Sequence, residues 1–312
     1  MKALALTEFD APPAVIDVPD PTPASGEVLV RVAAASVNPY DAFVAMGGMK
    51  EYLPYEFPTV IGMDIAGVIE AIGDGVDGFA VGDRVFGTIG TKATVHDGSF
   101  AELAAAQAAA LARTPDGVDP RDVASLGVAG TTALGAVEAL GPLEGSNVLI
   151  VGATGGVGSF AIQLAAARGA HVIASVRPED EAFVTELGAS ETVDYTGDVA
   201  EAIRERHPDG VDGLIDLVNR DPAGFASLAG LVRAGGHATS AVGGAGETSE
   251  IGGVAVSNVG GNPALLPALG ELVKEGRLRA PIRRTYRLDE AATALQDLTN
   301  QHTLGKLLIT IG

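Results

Sequence analysis

Seven consecutive residues have the composition of a phosphate-binding loop: Gly152, Ala153, Thr154, Gly155, Gly156, Val157 and Gly158. They follow an apolar segment, Asn147–Val151, and precede apolar residues that repeat with helical spacing. A buried strand, a tight turn and a helix N-terminus in this order bring backbone N–H groups to a pyrophosphate. The loop departs from a strict GxGxxG pattern, so the flanking strand and helix carry the prediction that it binds a dinucleotide.

The elements that must position this loop lie in a region, from about Val123 onward, where strands and helices alternate. The candidate strands are Asn147–Val151, His171–Ala174, Gly213–Val218 and Gly236–Val242. The candidate helices are Pro178–Leu187, Val199–Arg206, Ala223–Val232 and Pro263–Glu275. Such alternation predicts a doubly wound parallel sheet.

The rest of the chain has a different pattern. Residues 1 to about 120 combine short, alternating apolar segments with Gly-Asp turns, which predict a β-rich first domain. The tail contains a candidate strand over Lys306–Ile311, and we expect it to return to that first domain.

The composition excludes several classes of protein. A formal net charge of −20 disfavours general binding to nucleic acid or to an anionic membrane surface. The absence of cysteine excludes disulfides and thiolate metal sites. No apolar run approaches the length of a membrane span. We therefore predict a soluble cytoplasmic protein of two domains, whose partner is a small molecule.

Eight short motifs occur in one order along the chain: Ser36–Asp41, Gly62–Gly67, Val81–Val85, Gly98–Glu102, Ala129–Ala133, Gly152–Gly158, Leu187–Ala189 and Gly305-Lys306. Together they resemble the medium-chain dehydrogenase/reductase superfamily, specifically its zinc-free quinone oxidoreductase branch. The resemblance covers essentially the whole chain. It implies an α/β protein with a GroES-like β-barrel domain (residues 1–121 and 267–312) that carries substrate contacts, a Rossmann domain (residues 122–266) and a cleft between them.

Two departures from the superfamily pattern predict the zinc-free branch. Asn38 stands where zinc alcohol dehydrogenases have a cysteine, and Met63-Asp64 stand where they have a His-Glu pair. An amide and a thioether are poor zinc ligands, and the five histidines are scattered without ligand spacing. For Asp64, and for the nearby Asp41, we expect structural hydrogen bonds rather than acid–base catalysis.

The residues after the second strand of the Rossmann domain indicate which nicotinamide is bound. Aligned on the superfamily, the acidic residue that holds the ribose of NAD is replaced by Val176. Arg177 and Ser175 are placed to contact a 2′-phosphate, which predicts NADPH; the alternative is that Arg177 is a solvated loop charge. The resemblance places Tyr195 near the adenosine phosphate, although Tyr195 could serve only packing. We also expect the segments that contain Val242 and Gly260 to flank the nicotinamide, because their small residues leave space for the ring.

Three residues are candidates for the chemistry of reduction. By resemblance Asn38 reaches the nicotinamide ribose and the substrate, although it could be a turn residue before a proline. Tyr40 has a phenol that could donate a proton, or could serve only packing. Thr132 could bind the nicotinamide, or cap a helix. Phe43 lies where several relatives have a tyrosine, which leaves the proton donor open.

The leading hypothesis is an NADPH-dependent reductase of quinones or α,β-unsaturated carbonyls, because acceptors of this kind are electrophilic without a metal. The first alternative is a trans-acting enoyl-thioester reductase. The second is a non-catalytic NADPH-binding sensor or structural protein. The resemblance also implies a homodimer, formed through the sheet edge near Glu250–Val256.

Overall fold

The computed structural model describes all 312 residues, which form two compact units. The first unit comprises Met1–Val128 and Pro263–Gly312, and the second comprises Ala129–Asn262. The predicted boundaries, after residues 121 and 266, therefore differ from those of the structure. Residues 122–128 belong to the first unit because they pack on its sheet, where the Val128 N–H donates a 2.8 Å hydrogen bond to Asp64.

The strands are, in chain order, β1 (Lys2–Leu6), β2 (Ala14–Asp17), β3 (Glu27–Ser36), β4 (Thr59–Val60), β5 (Asp64–Ile72), β6 (Arg84–Thr88), β7 (Leu103–Gln107), β8 (Leu111–Arg113), β9 (Asn147–Val151), β10 (His171–Val176), β11 (Glu191–Asp194), β12 (Val211–Asp216), β13 (Val232–Ser240), β14 (Glu250–Ile251), β15 (Val254–Asn258), β16 (Ile282–Arg287) and β17 (Lys306–Thr310).

The α-helices are α1 (Pro39–Ala45), α2 (Pro120–Val123), α3 (Thr131–Ala139), α4 (Gly156–Ala166), α5 (Glu181–Glu186), α6 (Val199–Arg206), α7 (Pro222–Ala229), α8 (Leu266–Lys274) and α9 (Ala291–Asn300). None of them has the length and apolar character that a membrane-spanning helix needs.

The first unit is built on a sheet of order β16-β17-β3-β5-β6-β8, with β7 also paired to β3, and on a smaller sheet of order β2-β1-β4. Alternate residues of β3, such as Val28, Val30 and Val32, are buried in one apolar core with Ile65 and Phe100. The tail strand β17 pairs antiparallel with β3. The last residues of the chain therefore lie beside the segment that follows β3.

The second unit is a sheet of order β11-β10-β9-β12-β13-β15-β14, in which all neighbours are parallel except the edge pair of β14 and β15. The predicted Rossmann-type sheet is confirmed. The strand predicted over Gly236–Val242 begins earlier, at Val232, because Val232 already pairs with Val211. Edge strand β14 lies within the segment where a homodimer was predicted, and the dimer stays a prediction.

Candidate functional site

A large, open cleft lies in the second unit, where β9, β10 and β12 end. The chain runs outward from β9 to β10 and β11 and then returns to β12 on the other side of β9, so the strand order reverses here. Crevices at such a reversal are the usual ligand sites of open parallel sheets. The lining includes Gly152, Thr154, Gly155, Ser175, Tyr195 and Asn219.

Glycine is required at different positions of the loop for different physical reasons. Gly152 has a positive φ of 82°, which favours glycine. A Cβ on Gly158 would come within 2.3 Å of the Gly152 carbonyl oxygen, so the close contact between α4 and the loop also requires glycine. Gly155 is different, because a Cβ there would meet only one atom, at 3.5 Å.

The remaining residues of the loop lead into the N-terminus of helix α4, which is suited to bind an anion. Ala153 is fully buried beneath the loop, and Thr154 is buried in the wall of the cleft. Helix α4 begins at Gly156, with Val157 and Gly158 in its first turn. The free N–H groups of a helix N-terminus favour a phosphate there. The loop therefore fits the pyrophosphate of a dinucleotide.

The end of β10 presents polar groups with no carboxylate on the strand. Ser175 is buried, and its Oγ atom has no hydrogen-bond partner although it lines the cleft. The Arg177 guanidinium lies 5.8 Å from the centre of the Tyr195 ring and 3.9 Å from Glu179. Buried hydroxyl groups are normally hydrogen-bonded, and the ribose or phosphate of a bound cofactor could be the partner of Ser175.

Three other predicted residues of the second unit lie outside the lining of this cleft. Val242 follows β13, and its N–H donates to Ser240 Oγ at 3.3 Å. Gly260 follows β15. Thr132 is the second residue of α3 and is not its N-cap, which is Gly130. Roles for Thr132, Val242 and Gly260 at the nicotinamide stay predictions.

A second, smaller cavity lies in the first unit. Its walls include Tyr40, Asp41, Met63, Lys92 and Asp97. Burial, followed by the influence of Tyr55 and Asp41, raises the pKa of Tyr40, so its phenol stays protonated and can donate a hydrogen bond.

The ammonium of Lys92 is the only cation in the wall of this cavity, and it is already paired. It lies 2.7 Å from Glu27 and 2.7 Å from Asp97, and all three side chains are largely buried. The cavity therefore offers no unpaired positive charge to an incoming molecule.

A polar network surrounds Asn38, which is 2% exposed and donates its backbone N–H to the cavity residue Asp41. Its Oδ1 atom accepts a 2.6 Å hydrogen bond from Lys306 Nζ, and its Nδ2 group donates to Asp64 Oδ2 at 3.0 Å and to the Ser36 carbonyl at 3.3 Å. Ser36 Oγ also donates to Asp64 Oδ2. Both ends of the Asn38 amide are thus occupied within the protein, and a catalytic role for Asn38 stays a prediction.

Lys306 belongs to this network, although the sequence analysis included it only in the motif Gly305-Lys306 and gave its side chain no role. Its ammonium donates to the Val37 carbonyl at 2.9 Å as well as to Asn38, lies 3.8 Å from Asp64 and is 3% exposed. Burial lowers the pKa of Lys306, and the charges of Asp64 and Asp41 oppose that change. The motif Gly305-Lys306 and a lysine at the start of the apolar strand Lys306–Thr310 were the signals in the sequence that could have indicated this role.

Asp64 and Asp41 make the structural hydrogen bonds that were expected. Asp64 accepts from Ser36, Asn38 and the Val128 N–H, and burial raises its pKa despite the opposing charge of Lys306. Asp41 Oδ2 accepts a 2.7 Å hydrogen bond from the Asn38 N–H at the start of α1. Helix α1 was not predicted, since Asn38-Pro39 was interpreted as a possible turn, but proline suits a first helical position.

Comparisons with known proteins identify the family. Residues 24–116 match the alcohol dehydrogenase GroES-like domain, and residues 156–263 match the family described as zinc-binding dehydrogenase. The chain is 31% identical to a quinone oxidoreductase of Sus scrofa, over 100% of this chain and 98% of that protein. The structure of the quinone oxidoreductase from Coxiella burnetii superimposes with a TM-score of 0.86 at 30% identity, and the match covers 100% of this chain and 99% of that one.

A relative from a plant gives the same result. The chloroplast envelope quinone oxidoreductase homolog of Arabidopsis thaliana is 30% identical over 94% of this chain and 92% of its own length. The chain belongs to the medium-chain dehydrogenase/reductase superfamily. It is a quinone oxidoreductase-type member, which confirms the resemblance, and it is an NAD(P)-dependent oxidoreductase.

Because some members of the medium-chain superfamily hold a catalytic zinc, we tested whether the residues at that position fit one. Asn38, Met63 and Asp64 offer an amide, a thioether and a single carboxylate, whereas zinc prefers thiolate, imidazole and carboxylate ligands. The Lys306 ammonium also lies among them, 2.6 Å from Asn38 Oδ1, so a divalent cation would meet a positive charge. No group of three or more His, Cys, Asp or Glu side chains has a suitable arrangement elsewhere. The residues therefore do not fit zinc.

Proposed function

We propose that this protein is a zinc-independent, NADPH-dependent reductase that transfers hydride to neutral quinones or α,β-unsaturated carbonyls. The observation that carries the proposal is the Lys306 ammonium, bonded to Asn38 at the position where zinc-dependent relatives hold their metal. Without Lewis-acid activation, the acceptor must be electrophilic by itself. Quinones and enones meet this requirement, because the anion that hydride addition produces is delocalised.

The chemistry divides between the cofactor and the chain. NADPH, when bound, supplies the hydride. The glycine loop and the first turn of α4 would hold its pyrophosphate, and the chain's own task is to position the acceptor and to stabilise the oxyanion that develops on it. The neutral phenol of Tyr40, in the wall of the first-unit cavity, is suited to donate a hydrogen bond to that oxygen.

The charges of the cavity favour a neutral acceptor. Lys92 is held between Glu27 and Asp97, so it has no free charge for the phosphates of an acyl thioester carrier. The chain as a whole carries a net charge of −20, which further opposes an anionic substrate. These observations support quinones and enones over the alternative of an enoyl-thioester reductase.

A panel of acceptors tests the proposal. We expect the protein to oxidise NADPH in the presence of a benzoquinone or a simple enone, and to turn over an enoyl-CoA thioester much more slowly. The loss of NADPH absorbance measures the rate. The same assay after dialysis against a chelator is expected to give an unchanged rate, since no step needs a metal. A rate that disappeared with the chelator and returned only with zinc would overturn the zinc-independent mechanism.

The preference for NADPH is tested at Arg177, whose guanidinium is about 40% exposed beside the cleft residue Tyr195. Arg177→Ala should weaken NADPH binding roughly tenfold or more, because a charge-assisted hydrogen bond contributes about 1.5–3 kcal/mol. NADH, which lacks the 2′-phosphate, should bind equally well to both proteins. Titration calorimetry with each cofactor measures the difference.

Arg168→Ala is the matched control for Arg177→Ala. Arg168 is also a partly exposed arginine of the second unit, and it faces Glu138 at 3.4 Å rather than the cleft. Its loss should leave both affinities unchanged. An equal loss of NADPH and NADH affinity in Arg177→Ala would remove Arg177 from phosphate recognition.

A further inference from the structure

Asp41 has the only buried carboxyl oxygen of the first unit that makes no hydrogen bond of regular geometry. Its side chain is completely buried, and its Oδ2 atom caps the start of α1 by accepting the N–H of Asn38. Its Oδ1 atom is the unpartnered one, although the Met63 amide lies close enough to the carboxyl group to lower its pKa. A buried carboxylate oxygen without a partner is costly, whereas a protonated carboxyl oxygen is a donor that needs an acceptor. Asp41 forms part of the wall of the first-unit cavity, beside Tyr40 and Met63.

We propose that Asp41 is the proton donor of this enzyme, with its unpartnered Oδ1–H directed to the oxygen of an acceptor bound in the first-unit cavity. The inference rests on the proposed function and names the acid that the reduction requires. It departs from the expectation from the sequence, which gave Asp41 structural hydrogen bonds rather than acid–base catalysis. Oδ2 holds the helix while Oδ1 serves the substrate.

The proton balance of this step is complete. Hydride adds to the β-carbon of an enone, and the electron pair of the C=C bond moves to give an enolate. Breaking the Oδ1–H bond of Asp41 transfers its proton to the enolate oxygen, which gives an enol and leaves Asp41 as a carboxylate. The enol becomes the saturated ketone in water. Asp41 then takes a proton from water that enters the cavity after the product leaves.

The surroundings of Asp41 favour the protonated form at neutral pH. Burial raises its pKa to about 7, and the negative charge of Asp64 on β5 adds to the rise. The Asn38 amide, the Lys306 ammonium on β17 and the Met63 amide oppose it. The neighbouring Tyr40 phenol stays neutral, because its own pKa is raised. An acid that titrates near the working pH is suited to donate and recover a proton.

The variant Asp41→Asn tests the proposal, because the amide oxygen can still accept the Asn38 N–H while the amide cannot transfer a proton. We expect kcat for an enone to fall roughly 100-fold or more, the range typical of a lost general acid. The decline of the enone rate as pH rises through about 7 should disappear in the variant.

Two further measurements do not depend on turnover. Infrared spectra of the wild-type protein near pH 6 should show the C=O band of a protonated, buried carboxyl, and the band should be absent from Asp41→Asn. In addition, the folded wild type retains a proton that the unfolded chain loses above about pH 4. The wild type therefore loses stability as pH rises from about 4 to 7, and the stability of Asp41→Asn relative to it should increase over that range.

Asp119→Asn is the matched control, because Asp119 also caps a helix in the first unit but is solvent-accessible, paired with Arg121 and has its pKa lowered to about 2. The variant Asp119→Asn should change neither the infrared band nor the rate of enone reduction. Unchanged enone reduction by Asp41→Asn, or an ionised Asp41 near pH 6 in the wild type, would overturn the role of Asp41 alone. A wild-type protein that reduced no acceptor would reject the proposed function, and this role with it.

Discussion

The substitution Gly155→Val should greatly weaken the binding of NADPH while the protein stays folded. Gly155 has φ −72° and ψ 176°, an extended conformation that any residue adopts, and a Cβ there meets only the Gly152 carbonyl oxygen at 3.5 Å. Neither backbone strain nor a close contact within the fold requires glycine here, although glycine is a better N-cap than valine and a small loss of stability is expected. A bound cofactor would require glycine, because its pyrophosphate would approach the backbone at this point of the cleft. We expect Gly155→Val to raise the Kd for NADPH on the order of 100-fold, or about 2.8 kcal/mol.

Titration calorimetry would measure the loss of NADPH affinity, and thermal unfolding would show whether the variant is still folded. Circular dichroism is the probe of unfolding, because the chain contains no tryptophan whose fluorescence could be followed. The matched control is Gly230→Val in the same unit. Gly230 is exposed, has φ −67° and also leaves 3.5 Å to the nearest atoms. The variant Gly230→Val should bind NADPH with the affinity of the wild type. Full affinity in Gly155→Val would show that the cofactor does not approach this residue.

The second large effect is expected from Lys306→Met. The substitution keeps the length of the side chain but removes the charge that faces Asp64 and the hydrogen bonds to Asn38 and the Val37 carbonyl. Removing one partner from a buried ion pair typically costs about 3–5 kcal/mol, because the other charge remains buried without compensation. We expect a loss of this size in the free energy of unfolding by urea.

Lys274→Met provides the comparison, because Lys274 is an exposed lysine that pairs with Glu271 on the surface of α8. A pair of this kind contributes about 0–1 kcal/mol. The double variant Lys306→Met/Asp64→Asn should recover part of the stability, since it removes the uncompensated carboxylate as well. If Lys306→Met were no less stable than Lys274→Met, the ammonium would not be the cation that holds this network together.

The two predictions concern different parts of the site, and the sequence anticipated them to different degrees. The glycine loop was identified from the sequence with its strand and helix, because a strand, a tight turn and an amphipathic helix leave local periodic patterns. The strand over Asn147–Val151 and the helix over Val199–Arg206 have the predicted bounds. What the local pattern could not distinguish was why each glycine is needed. Gly158 is required by packing, whereas a Cβ on Gly155 would make no close contact within the fold.

The missed parts of the site depend on contacts between distant segments. Lys306 and Asn38 are separated by 268 positions in sequence and meet because β17 pairs with β3. Lys92 and Glu27 likewise form an ion pair that no short motif contains. The register of a sheet and the burial that accompanies it are properties of the whole unit. A single sequence therefore shows which residues are available, but not which of them share a network.

By itself, the sequence determined the fold class, the family, the glycine loop between its strand and helix, and the lack of conventional zinc ligands at Asn38 and Met63, because each of these is carried by residue type and local spacing. Only the tertiary structure decided that a lysine ammonium lies among those residues, that both ends of the Asn38 amide are engaged and that Asp41 keeps one carboxyl oxygen unpartnered. These facts depend on which groups are buried together. Burial is what makes an ammonium, an amide or a carboxyl oxygen either a structural partner or a group free for chemistry.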